Sequence, residues 1–338
     1  MSVTKRVSMQ DVANKAGVSR TTVSYVINDV PNSNIPAATK KRIWSAVNEL
    51  GYRSNAIARG LRGGKSNVLG LITDNIADAA FGVDIIRGVQ ETALSKNKMV
   101  LVMDGDNDPK TTEVIFQMMA EWQVEGTIYA SLTHREIETP PCFHYSKTIL
   151  VDCYSKENDL PSVIPDERQG GYAATTHLLA KRHRRVGIIN GKPGYQATIG
   201  RLEGYKQALA DYQIPIDEEL IYFGDWWQDE GYKGVMDIMG KPKPPTAFFC
   251  GNDRLAIGAI EAIKELGFRI PEDIAVIGFD NQLLIAEHSR PRLTTVALPY
   301  YQMGQWAVEH LLKEDQRQDA SVPMIQKLAC PLVERSSA

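Results

Sequence analysis

Asp74-Asn75, Trp226-Trp227, Asn252-Asp253 and Asp280-Asn281 each stand just beyond an apolar run, and Arg201 stands near the start of an amphipathic one. Arg, Asn and Asp supply directional hydrogen bonds to hydroxyl groups, and an indole covers an apolar ring face. Together these residues suit a sugar. Each also has a structural reading. Asp253 fits as the cap of a helix Arg254–Leu266, Arg201 as half of an interlobe ion pair, Trp227 as packing, and Phe81 as either a cleft residue or core.

A second constellation lies near the N-terminus. Arg20 and Thr21 head a short apolar-periodic segment from which they can reach base edges in a major groove about 12 Å wide. Thr22, Ser24 and Tyr25 on the same segment suit phosphate or sugar, and Ser19 and Asn28 at its two ends complete the expected DNA-contacting set. Catalytic chemistry is not apparent. The six histidines show no H-E-x-x-H spacing, no G-x-S-x-G elbow occurs, and Cys142, Cys153, Cys250 and Cys330 form no C-x2-C pair. No catalytic residue, metal or cofactor is therefore expected. Gly64-Lys65-Ser66 is not a phosphate loop, because Arg59 stands where that loop needs glycine and the apolar run comes after it instead of before it.

The elements that must position these residues can be read from caps and periodicity. Ser8 suits an N-cap with Asp11 three residues on, Val12, Ala13 and Ala16 form one apolar face, and Gly17 ends the helix. Ser19 caps a second helix carrying Val23, Val26 and Ile27. A third is expected from about Ala37 to Leu50, with Ile43, Val47 and Leu50 inward and Lys40, Lys41 and Arg42 exposed near its start. Those three are phosphate contacts or a solvated face. Residues 1–53 thus read as an all-α helix-turn-helix domain, and 54–66 as a hinge. The hinge is too short for a helix stable alone in water, so it either folds against a partner or serves as a flexible linker.

Charge separates this head from the rest of the chain. Residues 1–65 carry a net +8 and the remainder −11, so only the head offers a field suited to a polyanion. From residue 68 the period changes. Apolar runs at 68–72, 99–103, 126–130, 149–151, 186–189, 247–250 and 275–279 alternate with helical patterns, which calls for doubly wound parallel sheets. One lobe is expected over 67–165, joined by a return of 297–325, and another over 166–293, joined by 326–338. Ligands bind such sheets where the loops at the strand carboxyl ends converge, here a cleft between lobes. The N-terminal residues lack the apolar core of a secretory leader, and no run approaches 18 apolar residues. A cytoplasmic protein without a membrane partner is expected. A sugar-binding transport receptor and a carbohydrate-metabolising enzyme are the competing readings, weakened by that missing leader and by the missing catalytic residues.

The run Asp11-Val12-Ala13-Asn14-Lys15-Ala16-Gly17-Val18-Ser19-Arg20-Thr21-Thr22-Val23-Ser24-Tyr25-Val26-Ile27-Asn28 resembles the head pattern of the LacI/GalR family of bacterial transcription regulators. Asn48-Glu49-Leu50-Gly51-Tyr52, Asn55 to Arg62, Arg201 to Tyr205, Gly251 to Gly258 and Ile277 to Asn281 agree as well. The resemblance implies a homodimer on a pseudo-palindromic DNA operator, a periplasmic-binding-protein-like body of two doubly wound parallel-sheet lobes, and a small sugar-like effector that acts allosterically, usually to control repression. It also implies that Leu61 enters the minor groove, and that Arg201, Trp226, Asn252 and Asp280 hold the effector. Asp74, Asn75 and Phe81 join the expected effector set by their loop positions alone, in a segment that lacks the family's common N-P-F-F run. Tyr25 stands where many members carry Arg.

Overall fold

Ser8 and Asp11 close a reciprocal cap on the first helix, α1 (Met9–Ala16). The Ser8 hydroxyl accepts the Asp11 N–H at 3.3 Å and the Asp11 carboxylate accepts the Ser8 N–H at 2.8 Å. Gly17 ends it in the left-handed region at φ 63°, where a side chain would strain the backbone, and Val18 then bonds back to the Ala13 carbonyl. Helix α2 (Arg20–Ile27) starts at Ser19, and α3 (Ala37–Leu50) ends at Gly51, both as expected. Val12, Ala13, Val23, Val26, Ile43, Ala46 and Val47 from the three helices make one buried cluster. These descriptions come from a computed structural model that describes residues 7–30, 33–53, 66–74, 82–313 and 324–338. Those residues form two units, dividing at Asn67/Val68. Leu61 with most of the hinge, Asn75 and Phe81 lie outside the described residues.

The second unit contains two six-stranded sheets. Continuous apolar runs form β1 (Val68–Thr73), β2 (Met99–Asp104), β3 (Thr127–Ile137) and β4 (Thr148–Ser155), buried because helices α4 (Gly82–Ser95) and α5 (Pro109–Glu121) connect them. A fifth strand, β5 (Ser162–Pro165), was not anticipated. It is only four residues long and ends in proline, so periodicity could not mark it. The chain then crosses to α6 (Glu167–Ala180), β6 (Val186–Asn190), α7 (Gln196–Asp211), β7 (Ile221–Phe223), α8 (Gln228–Met239), β8 (Ala247–Cys250), α9 (Asp253–Glu265), β9 (Ala275–Asp280), the short α10 (Leu283–Ala286) and β10 (Thr294–Ala297). Helix α11 (Tyr300–Leu311) returns to the first lobe, packing Met303, Ala307 and Val308 among Leu69, Leu71 and Ile128. Strands β11 (Ile325–Leu328) and β12 (Leu332–Val333) finish one in each sheet.

The orders are β11-β5-β4-β3-β1-β2 and β12-β10-β9-β8-β6-β7. Every pairing is parallel except that of β12 with β10. Two expected boundaries move. Thr294–Ala297 pairs with β9, so the second lobe continues through Ala297. Ile325–Leu328 pairs with β5, so the last crossing falls at 329–331 and not at 325. All four cysteines are free and buried.

Candidate functional site

Helix α2 sets one polar face outward because its apolar residues occupy the other. At about 100° per residue, Arg20, Thr21, Ser24, Tyr25 and Asn28 fall within an arc of about 140°, opposite Val23 and Val26. Arg20, Thr21, Tyr25 and Asn28 are exposed, and Thr22 and Ser24 are half-buried. Two of the expected contact residues also hold the cap: Ser19 Oγ accepts the Thr22 N–H at 3.1 Å and pairs with Thr22 Oγ1 at 2.8 Å. Asn28 donates its side-chain amide to the Ser24 carbonyl at 2.8 Å, which fixes the far end. Lys41 and Arg42 on α3 are exposed, whereas Lys40 is half-buried.

In the body, a cavity of about 280 Å³ lies between the carboxyl ends of the two sheets. Arg201, Trp226, Asn252 and Asp280, far apart in sequence, all line it. Asp74 does not. Its carboxylate accepts from Ser131 Oγ at 2.6 Å, the Leu132 N–H at 2.9 Å and Arg135 Nη2 at 2.9 Å, which holds Leu132, a wall residue, in place.

Arg201 is almost fully buried on α7. Nε donates to Glu167 Oε2 at 2.7 Å, Nη2 donates to Oε1 at 3.1 Å, and Nη1 donates to the Gly251 carbonyl. Asp280 Oδ1 lies 3.7 Å from Nη1, and the guanidinium sits 3.8 Å from the Phe279 ring centre. The ion-pair reading of Arg201 is thereby met within the second lobe, by the first residue of α6, and not across the lobes. Burial raises the Glu167 carboxyl most, but the Arg201 charge and hydrogen bonds, together with the nearby His134, outweigh it and leave Glu167 below its ordinary value.

Asn252 caps α9 by accepting the Leu255 N–H at 2.8 Å, and its amide donates to the Trp226 carbonyl at 3.0 Å. Asp253, expected to be the cap, is instead the first helical residue. It is wholly buried and accepts from the Gln282 N–H at 2.7 Å and Thr295 Oγ1 at 2.5 Å. The extended backbone at Asn252 decides this, since a cap residue must lie outside the helical region. The Trp226 ring is seated on Gly191, where an added Cβ would meet ring carbons at 2.2 Å, and turns edge-on to Tyr195. Trp227 is exposed, with the Arg254 guanidinium 4.7 Å above its ring.

Nine lining residues go beyond the expected set, among them His134, Asp152, Glu167, Tyr195 and Tyr300. Asp152 follows the β4 apolar run as Asp280 follows that of β9, so the same strand-end rule applied to it. Both have positive φ, 57° and 104°. Asp152 Oδ1 and both ring nitrogens of His134 are buried without a hydrogen-bond partner. The Glu167 carboxylate, 3.9 Å from His134 Nδ1, is too far to supply one. Burial and the Glu167 charge push the Asp152 carboxyl well up, and burial lifts that of Asp280 to about 6.

The profile of the bacterial regulatory proteins of the lacI family matches residues 8–55, and that of the periplasmic binding protein-like domain matches 175–338. The HTH-type transcriptional repressor PurR of Photorhabdus laumondii is 33% identical over 335 residues, spanning 98% of this chain and 96% of its own. The chain belongs to the lacI family. As a lacI-family protein it is a DNA-binding transcription regulator and not an enzyme. Solved relatives share the architecture. A lac repressor dimer bound to operator and an anti-inducer is 27% identical with a TM-score of 0.81 over 98% of this chain and 99% of its own. The transcriptional regulator CelR bound to cellobiose is 26% identical with a TM-score of 0.66 over 98% and 100%. Among the described residues no helix is long and apolar enough to cross a membrane.

Proposed function

We propose that this lacI-family protein is a repressor in which α2 reads an operator and the interlobe cavity holds a small sugar or sugar derivative that shifts DNA affinity. The observation that carries the effector reading is Asp152. A carboxyl this deeply buried with an unpartnered oxygen is costly unless a ligand completes it. Trp226 and Tyr195 supply ring faces beside it, and about 280 Å³ lies at the small end of ligand pockets, which favours a monosaccharide-sized molecule. The cellobiose held by CelR supports a sugar as the ligand class. Coupling then requires two global states that differ in lobe closure.

A second copy of the chain is the natural partner, as in the lac repressor dimer. Val114, Met118 and Trp122 form an exposed apolar stripe along one side of α5, at the spacing that aligns side chains on a helix. Two heads so joined would read two half-sites in the cytoplasm, where operators are. The test is a mobility shift on a palindromic operator near its own gene, repeated across candidate sugars with sedimentation of the free protein. Sequence-selective binding by a dimer, altered by one sugar, is expected. A monomer, or binding with no sequence preference at moderate salt, would overturn the reading.

A further inference from the structure

Three carboxylates, Asp152, Glu167 and Asp280, face the cavity against one guanidinium, and none of the three is more than 8% exposed. A buried arginine is the usual receptor for a ligand phosphate or carboxylate, since its planar fork matches their geometry. Here the Nε–Nη2 edge of the fork is already taken by both oxygens of Glu167, and Nη1 donates to the Gly251 carbonyl. No second Lys or Arg is among the described residues of the cavity wall. A ligand anion would therefore meet Glu167 and Asp280, whose charges already outnumber the one guanidinium, with no further cation from that wall, in a site where low polarizability strengthens repulsion. A hydroxyl or an amine meets the opposite situation. Asp152 Oδ1 lacks a partner, and His134 offers a ring nitrogen as acceptor or donor according to tautomer.

We infer that the Glu167–Arg201 clamp closes this cavity to anions, so that its effector is an uncharged or cationic ligand whose hydroxyl or amine donors are read by Asp152 and His134. The inference rests on the effector reading above and narrows it. Sugar phosphates and sugar acids are excluded, and Glu167 is the residue that excludes them.

The test uses full-length protein and Glu167→Gln, a change that keeps a hydrogen-bond acceptor for Arg201 but removes the charge. Both are titrated calorimetrically with inorganic sulfate at fixed ionic strength, then with glucose, glucosamine, glucose 6-phosphate and gluconate. The native protein should show no saturable sulfate site. Glu167→Gln should gain one, with an affinity at least about tenfold above any residual binding to the native protein, and the further change Arg201→Met should remove it. A folded Glu167→Gln without that site, or native protein that binds sulfate through Arg201, overturns the clamp. Should Glu167→Gln fail to fold, the native protein decides: glucose 6-phosphate or gluconate binding more tightly than glucose and glucosamine overturns the inference, and the reverse supports it. If no sugar binds the native protein, the sugar-effector reading fails, while the sulfate titration still judges the clamp separately.

Discussion

Glu167 grips Arg201 through two parallel hydrogen bonds, Nε to Oε2 at 2.7 Å and Nη2 to Oε1 at 3.1 Å, with only 4% of either side chain exposed. The pair ties the first residue of α6 to the middle of α7 at the edge of the cavity. Removing one member strands the other charge where it is almost wholly buried. Arg201→Met is expected to cost about 3–5 kcal/mol, and Glu167→Leu added to it should restore most of the loss, because a buried pair is worth little against apolar replacements of similar size. Urea unfolding of the three proteins measures this. A single-variant loss below about 1 kcal/mol would mean that the pair behaves as a solvated one.

Asp280 gives a pH signature. Its folded carboxyl titrates near 6, raised by burial and moderated by Arg201, whereas an unfolded Asp titrates near about 4. Between those values the native state holds a proton that the unfolded state has released, so this residue's contribution to stability falls as pH rises. Asp280→Asn has no such proton. The melting temperature of Asp280→Asn minus that of the native protein should climb from pH 4 to pH 6 and then level. Asp152, perturbed in the same direction, is present in both proteins and cancels. A flat difference would show that the carboxyl is not perturbed.

In the head, Arg20 and Lys41 separate two kinds of contact. Arg20 leads the exposed face of α2, so Arg20→Ala should relax base preference at one operator position by about 1–3 kcal/mol. Lys41 is exposed on α3, so if it contacts phosphate, Lys41→Ala should weaken all sequences alike and lower the salt slope by about 1. Binding measured across salt concentrations and single-base operator variants distinguishes them. Exchange of the two patterns would reassign the roles of the helices.

Gly191 fixes Trp226. A methyl group there would lie within 2.4 Å of three indole atoms, and the tightly packed ring must move away. Gly191→Ala should weaken effector binding by about tenfold, through lost ring stacking, while operator affinity without effector stays unchanged. Equal effector affinity would show that the indole does not face the ligand.

Much of this protein was written in local sequence. The caps at Ser8 and Ser19, the stop at Gly17 and the 3.6-residue periodicity define the head, since each acts within one or two helical turns. Apolar runs separated by amphipathic segments define the strands and helices of the body, the strand-end rule brought forward Trp226, Asn252 and Asp280, and position near a helix start brought forward Arg201. What sequence left undecided is which groups meet. Glu167 and Arg201 lie 34 residues apart, and Asp152 and His134 come from strands of the other lobe. Their protonation and charge balance depend on burial and through-space distance, neither of which any local pattern encodes. Tertiary structure alone also decided that Asn252 and not Asp253 caps α9, that Asp74 supports the wall without lining it, and that Ile325–Leu328 joins the first sheet. Asp253, Asp74 and Ile325–Leu328 each meet a backbone partner distant in the chain, which local preference does not encode.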